Sequence, residues 1–286
     1  MSKLIGLVIV MIAAVVTISA VTIMRNAGPT RSPDGLSGGS GETVQEVPPA
    51  AGNATGAGTK TESASIIESA AAADKYAFIF FYADESEQTK AARVAFGKIM
   101  SRIAEEAVNL EIDTTDPAEL PIVNRFNVRG APMPLVLAVA PNGAITGGFP
   151  QKFDEAQLLG AFASPGEEKS LKALQERRLV LVSIQNGSTA SNDAAMKGVQ
   201  DFKADPDFAP STVMVTVDPA DPAEAGFLKA LQVAPQTREA ITVCLAPPGL
   251  AVARFSGGTE KEMIVTAFST AGGCGPNGCG PSGCGK

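Results

Sequence analysis

The feature that most limits what this chain can fold into is an internal duplication. Residues 113–128 read DTTDPAELPIVNRFNV and residues 218–233 read DPADPAEAGFLKALQV. Both contain Asp-Pro-Ala-Glu, at 116–119 and 221–224, and both run into a short amphipathic stretch ending in Val. Similarity at one fixed offset, about 105 positions, marks repeated units. The flanks extend it. YAFIFFYADESEQT (76–89) aligns with RLVLVSIQNGSTAS (178–191), and LVLAVAPNGAITGGF (135–149) with ITVCLAPPGLAVARF (241–255). Each unit opens on a helix-like segment, SASIIESAAAADK (63–75) or GEEKSLKALQERR (166–178).

Each unit reads the same way. An apolar strand (77–82; 179–184) leads into a helix (about 88–106; 190–204), then a second strand ending in Asp (108–113; 211–218). After the Asp-Pro-Ala-Glu segment come two strands joined by a Pro-x-Gly turn and a last helix (153–163; 258–270). Continuous apolar runs of this length are buried central strands. The Pro-Asn-Gly and Pro-Pro-Gly turns fit hairpins. The order β-α-β-α-β-β-α is an α/β sandwich around a mixed sheet. The expected domains span 63–164 and 165–271, with a tail over 272–286.

Ahead of them, Leu4 to Met24 carries no charge and is flanked by Lys3 and Arg25. At 1.5 Å per residue such a helix spans about 31 Å, close to a bilayer core. The segment is expected to be an uncleaved membrane anchor; a cleaved signal peptide is the rival reading, although no clear small-residue site precedes Arg25. The positive-inside balance is nearly tied, and an early anchor favours an exported, extracytoplasmic body. Residues 25–62 are dominated by Gly, Pro, Ser and Thr, the composition of a flexible tether.

Composition excludes several activities. The chain has no His, so it holds no Ser–His or Cys–His pair and no His-ligated metal. A net charge of -7 argues against nucleic acid as a partner.

The strand IFFYAD, its polar loop and the helix KAAR, together with RGAPMPLVL and the Asn142-Gly143 hairpin turn, resemble the thioredoxin family. The match is good over 75–163 and weaker over 178–271. The resemblance implies two tandem thioredoxin-like domains. It implies a Cys-x-x-Cys pair at the helix start, where the helix dipole lowers a thiol pKa. It also places a cis-proline at Pro132. Here the two redox positions hold Ser86 and Thr89, with Ser188 and Ser191 in the second unit. Glu85 stands for the usual aromatic, Gln88 for the usual proline and Phe80 for the family's buried acid; Arg238 aligns with Pro132. A hydroxyl forms no disulfide, and no His activates it. Lys90 is the one basic neighbour and is expected to face solvent. Ser86 or Thr89 is therefore expected to cap the helix N-terminus, and the resemblance implies a non-catalytic arrangement comparable to the inactive thioredoxin-like domains of protein disulfide isomerases. The groove beside Pro132 is expected to serve a protein or peptide partner.

Asp113, Asp116 and Glu119, with their counterparts Asp218, Asp221 and Glu224, are read as helix caps and capping boxes rather than a calcium site. Cys244, inside ITVCLA, is expected to be a buried small hydrophobe. The other cysteines lie in TAGGCGPNGCGPSGCGK, where Cys274, Cys279 and Cys284 recur every five residues. That stretch has no apolar side chains to pack and is expected to be exposed and mobile. Its three thiols suit a soft ion, Cu(I) or Zn, or thiol–disulfide exchange. A crosslink, or no defined role, is also open. The expected protein is thus a membrane-anchored, non-catalytic binding or scaffold module. The alternative is a thiol-redox or soft-metal protein working through its tail.

Overall fold

The computed structural model describes residues 61–272 and, beyond them, 274–275 and 278–279. The expected anchor over 4–24 and nearly all of the tether lie outside the described residues. Among the described residues no helix is long and apolar enough to cross a membrane.

The first unit contains α1 (Glu62–Ala72), β1 (Tyr76–Tyr82), α2 (Glu87–Met100), β2 (Ala107–Asp113), a 3-10 turn (Pro117–Glu119), α3 (Leu120–Arg125), β3 (Leu135–Val139), β4 (Ile145–Pro150) and α4 (Glu155–Leu159). The second repeats it. Its elements are α5 (Pro165–Gln175), β5 (Leu179–Ile184), α6 (Asn192–Ala204), β6 (Thr212–Val217), a 3-10 turn (Pro222–Glu224), α7 (Ala225–Ala230), β7 (Ile241–Ala246), β8 (Leu250–Ser256) and α8 (Lys261–Gly272). A further 3-10 turn, Ala209–Ser211, leads into β6. The sheets have the orders β2-β1-β3-β4 and β6-β5-β7-β8. In each, the first two strands are parallel (Tyr76↔Ala107 to Tyr82↔Asp113; Leu179↔Thr212 to Ile184↔Val217) and the hairpin strands are antiparallel.

β1 is apolar on both faces because it is central. Phe78 and Phe80 pack with Phe96 and Met100 of α2 and Leu158 of α4. Ala77, Ile79 and Phe81 face Ile67 of α1 and Ile122 and Val123 of α3. Successive residues alternate faces, so an uninterrupted apolar run serves two layers at once.

Two helices are shorter than expected. α2 ends at Met100, because Arg102 N and Ile103 N turn to bond Ile99 O and Met100 O. These tighter i→i+3 bonds bring Ile103 back into the core. α4 starts at a capping box in which Asp154 and Gln157 exchange bonds of 2.8 and 2.9 Å, and it stops at Gly160.

The units contact each other through α5. The Gln175 side chain accepts from Ile145 N at 2.9 Å and donates to Ile145 O at 2.7 Å, so it pairs with edge strand β4 as a neighbouring strand would. The Tyr76 hydroxyl accepts from Ala163 N at 2.9 Å and bonds the Glu168 carboxylate.

Candidate functional site

The site is the loop between β1 and α2, residues 83–86, with the segment that leads into β3. Ser86 caps α2 from an extended conformation (φ -62°, ψ 161°), and its Oγ accepts from Thr89 N at 3.3 Å. Asp84 Oδ1 accepts from Ser86 N at 3.0 Å and from Thr89 Oγ1 at 2.9 Å. The Ser86 N–H first, then the Ser86 and Thr89 hydroxyls, hold the Asp84 carboxyl below its ordinary pKa. Thr89 is buried, and its Oγ1 lies 3.2 Å from Ser86 Oγ. Both hydroxyls are thus committed to holding the helix start, as capping predicts. Lys90 bonds Glu87 at 3.0 Å rather than approaching either hydroxyl as a base.

Arg93, one turn into α2, fixes the rest of the loop. It holds Glu85 in a two-pronged pair at 2.8 Å, reaches Glu111 of β2 at 2.9 Å and lies 4.5 Å from the Tyr82 ring centre. Nothing in the sequence pattern announced this clamp, because its partners come from three different elements. Phe80 is fully buried, with its ring 5.4 Å from that of Phe96. The place implied for a proton-relaying acid is therefore sealed by aromatic packing.

The cis peptide of the first unit is Met133–Pro134, not the bond before Pro132; the second unit has one at Pro247–Pro248, in the turn between β7 and β8. The sequence Ala-Pro-Met-Pro offers two candidates, and the start of the ladder decides between them. Pro134 lies against Leu135, the first residue of β3, which pairs with Phe81. Pro132 is exposed, further out along the chain. The N–H and C=O of Met133 have no hydrogen-bond partner among the described residues.

The second unit treats the same place differently. Its loop, 185–191, is longer, and α6 begins at Asn192. Ser191, not Ser188, therefore shares the cap position with Ser86. It sits there at φ 62° without a side-chain cap bond. Loop cohesion comes instead from Thr189, whose hydroxyl is 2.6 Å from Asn192 Oδ1, and from Asn186, which accepts from Ser188 N and donates to Asp218, each at 2.8 Å. The loop is also stitched to the segment that leads into β7. Ala190 N bonds Arg238 O at 2.8 Å, and Ala240 N bonds Ala190 O at 2.9 Å. Ala240 immediately precedes β7 as Pro134 immediately precedes β3. Proline has no N–H, so the first unit lacks the donor for the second of these bonds.

The repeated carboxylates are structural, but only half as expected. Asp116 and Asp221 cap their 3-10 turns by accepting from Ala118 N at 2.8 Å and Ala223 N at 2.9 Å. Glu119 and Glu224 do not close local capping boxes. Glu119 accepts from Ser63 Oγ at 2.6 Å, and Glu224 accepts from Ser164 Oγ and from Gly166 N, the latter at 2.8 Å. Each ties its turn to the start of its unit's first helix, where the free N–H groups favour a carboxylate. Among the described residues no cluster of three metal-ligating side chains occurs. Cys244 is fully buried, and burial pushes its thiol up to about 12, which makes it unreactive.

No family model and no curated protein matches the chain. Solved structures do. The germline-specific thioredoxin Deadhead of Drosophila melanogaster is 26% identical, covering 35% of this chain and 90% of its own, with a TM-score of 0.28. The first two thioredoxin domains of Saccharomyces cerevisiae Eps1p are 13% identical over 71% of this chain and 94% of theirs, with a TM-score of 0.27. Zinc-bound human ERp44 is 12% identical over 74% of this chain and 60% of its own, with a TM-score of 0.31. By its own strand order, strand directions and helix placement, the described chain is a tandem of two thioredoxin-like domains.

Proposed function

We propose that this protein is a membrane-anchored, thioredoxin-like binding module that holds an extended protein or peptide segment at the first domain without thiol chemistry there. The observation that carries the reading is a contrast between the segments that lead into β3 and β7. Before β7, the loop's own backbone takes up Arg238 O and Ala240 N, and the C=O of Glu239, the counterpart of Met133, accepts from Thr237 Oγ1 at 2.8 Å. Before β3, Met133 keeps its N–H and C=O free beside a rigidly capped loop. A main-chain donor and acceptor on one residue can pair with an extended segment as a strand would. The apolar segment over 4–24 would hold this surface at a membrane, on the extracytoplasmic side.

The test uses the full chain in detergent and a reduced, carboxymethylated polypeptide as the extended ligand. Backbone NMR shifts should move at 83–86 and 131–134 and stay still at 186–191. Shifts that are absent, or equal in both domains, would refute the reading. Release of the chain from membranes by an alkaline wash would refute the anchor.

A second reading places thiol redox or soft-metal chemistry in the tail. It is favoured by one observation, that the backbones of Cys274 and Cys279 are paired in a short antiparallel ladder.

A further inference from the structure

The second domain holds a cavity that neither its loop nor its packing against the first domain accounts for. It measures about 250 Å³ and lies between α5, α7 and the turn that joins β7 to β8. Most of its wall is apolar. Leu174, Phe227 and Leu245 line it and belong to the domain's core. Ala230 and Leu250 complete it. Leu250 is 56% exposed, although the aligned residue of the first domain, Ala144, is fully buried. The cavity therefore offers apolar surface for a ligand to cover.

The first domain has a hollow at the equivalent place, with a different lining. Lys75, Arg125 and Lys172 stand around it, and Arg125 aligns with Ala230. The duplication supplies the position of the hollow, and the side chains supply its chemistry.

Two polar side chains line the second domain's cavity, Glu167 and Ser170. Ser170 Oγ donates to Gly166 O at 2.8 Å, within its own helix. Glu167 is the third residue of α5, and its carboxyl lies beside the Ser164 N–H. The charges around it are the Glu224 and Glu168 carboxylates, and no cation pairs with it among the described residues. Burial and the Glu224 carboxylate both oppose its ionisation. A carboxylate in such surroundings is costly until a cation meets it.

Size and charge together define a ligand. A cavity of about 150 Å³ with aliphatic and aromatic walls holds benzene, so one of about 250 Å³ takes a ring with a short arm. A neutral molecule leaves Glu167 without a counter-charge, and an anion adds to the repulsion. An ammonium relieves it. We propose that this cavity binds a small apolar amine as its ammonium ion, with the aryl or alkyl group against Leu174, Phe227 and Leu250 and the nitrogen on the Glu167 carboxylate. The site goes beyond the peptide-binding surface proposed for the first domain and does not depend on it.

The experiment titrates the full chain in detergent with phenethylamine and follows backbone NMR shifts. Phenethyl alcohol and hydrocinnamate carry the same ring with a neutral or a negative group. Phenethylamine should move 167–174, 227–231 and 248–251 to saturation and leave 141–143, beside the first domain's hollow, still. Phenethyl alcohol should bind at least about tenfold more weakly, as the loss of a charge-assisted hydrogen bond predicts, and hydrocinnamate more weakly again. Glu167→Gln should bring phenethylamine down to the affinity of the alcohol and leave the alcohol's own affinity unchanged. Leu250→Ser, at an exposed position, should weaken amine and alcohol by the same factor. Equal binding of amine and alcohol, tighter binding of hydrocinnamate, an unchanged amine affinity in Glu167→Gln, shifts spread over both domains, or no saturable shift with phenethylamine would each overturn the proposal.

Discussion

Gly198 and Gly97 lie inside equivalent helices, and the same substitution should have opposite signs at the two. Glycine in a helix interior costs about 1 kcal/mol relative to alanine, so Gly→Ala stabilises wherever space permits. At Gly97, on the exposed face of α2, an added Cβ meets nothing within 4 Å. Gly97→Ala should therefore gain about 0.5–1 kcal/mol. At Gly198, in α6, the Cβ would stand 1.8 Å from Thr259 O and 2.4 Å from its carbonyl carbon. The obstacle is backbone, in the segment that leads into α8, so no rotamer change relieves it. Overpacking costs about 1–3 kcal/mol, and a backbone clash this close belongs at the upper end. Subtracting the helix gain of about 1 kcal/mol leaves a net loss of about 2 kcal/mol. Urea unfolding of the full chain reads both effects. Far-UV circular dichroism follows both domains. Tyrosine fluorescence follows chiefly the first, since Tyr76 and Tyr82 both lie in β1 and the chain has no Trp, with the Tyr76 hydroxyl also bonded to Glu168 of α5. A loss of about 2 kcal/mol moves a midpoint by about 1–2 M at m values of about 1–2 kcal/mol/M. Gly198→Ala should lower the dichroism midpoint of the second domain, with the tyrosine midpoint moving less. Gly97→Ala should raise the tyrosine midpoint. A neutral or stabilising Gly198→Ala would refute the reasoning.

Two further outcomes are expected. Ser86→Ala removes the α2 cap and should lower the stability read by tyrosine fluorescence by about 1 kcal/mol; an unchanged midpoint would mean that Ser86 does not serve as the cap. Burial first, then the nearby Glu224 carboxylate, raises the Glu167 pKa above its ordinary value. The folded state therefore holds this proton more tightly than the unfolded state. Its contribution is fully present below the ordinary carboxylate pKa and is lost as pH rises through the folded value. Glu167→Gln removes that loss, so it should stabilise the second domain at about pH 7 and change nothing at about pH 3. Equal shifts at both pH values would refute the assignment.

The local features were readable from the chain alone. The duplication predicted two similar α/β units with mixed sheets, and the apolar runs located their central strands. Ser86 as a cap and Asp116 and Asp221 at their turns were legible because a cap and its N–H lie within three residues. The backbone pairing of Cys274 with Cys279 was not read; the absence of apolar side chains pointed to an unstructured tail instead. Tertiary structure decided whatever joins distant segments. It chose Pro134 over Pro132, because the β3 ladder, not the proline pattern, sets where the cis bond falls. It sent Glu119 and Glu224 to helix starts far away in sequence, where unpaired N–H groups and hydroxyls draw a carboxylate. It closed the second domain's loop through Ala190 and left the first domain's open, since a proline stands where that closure needs an N–H. Sequence by itself determined two similar α/β units with no cysteine at the start of either long helix. Only the packed chain decided which of the two loops presents free backbone.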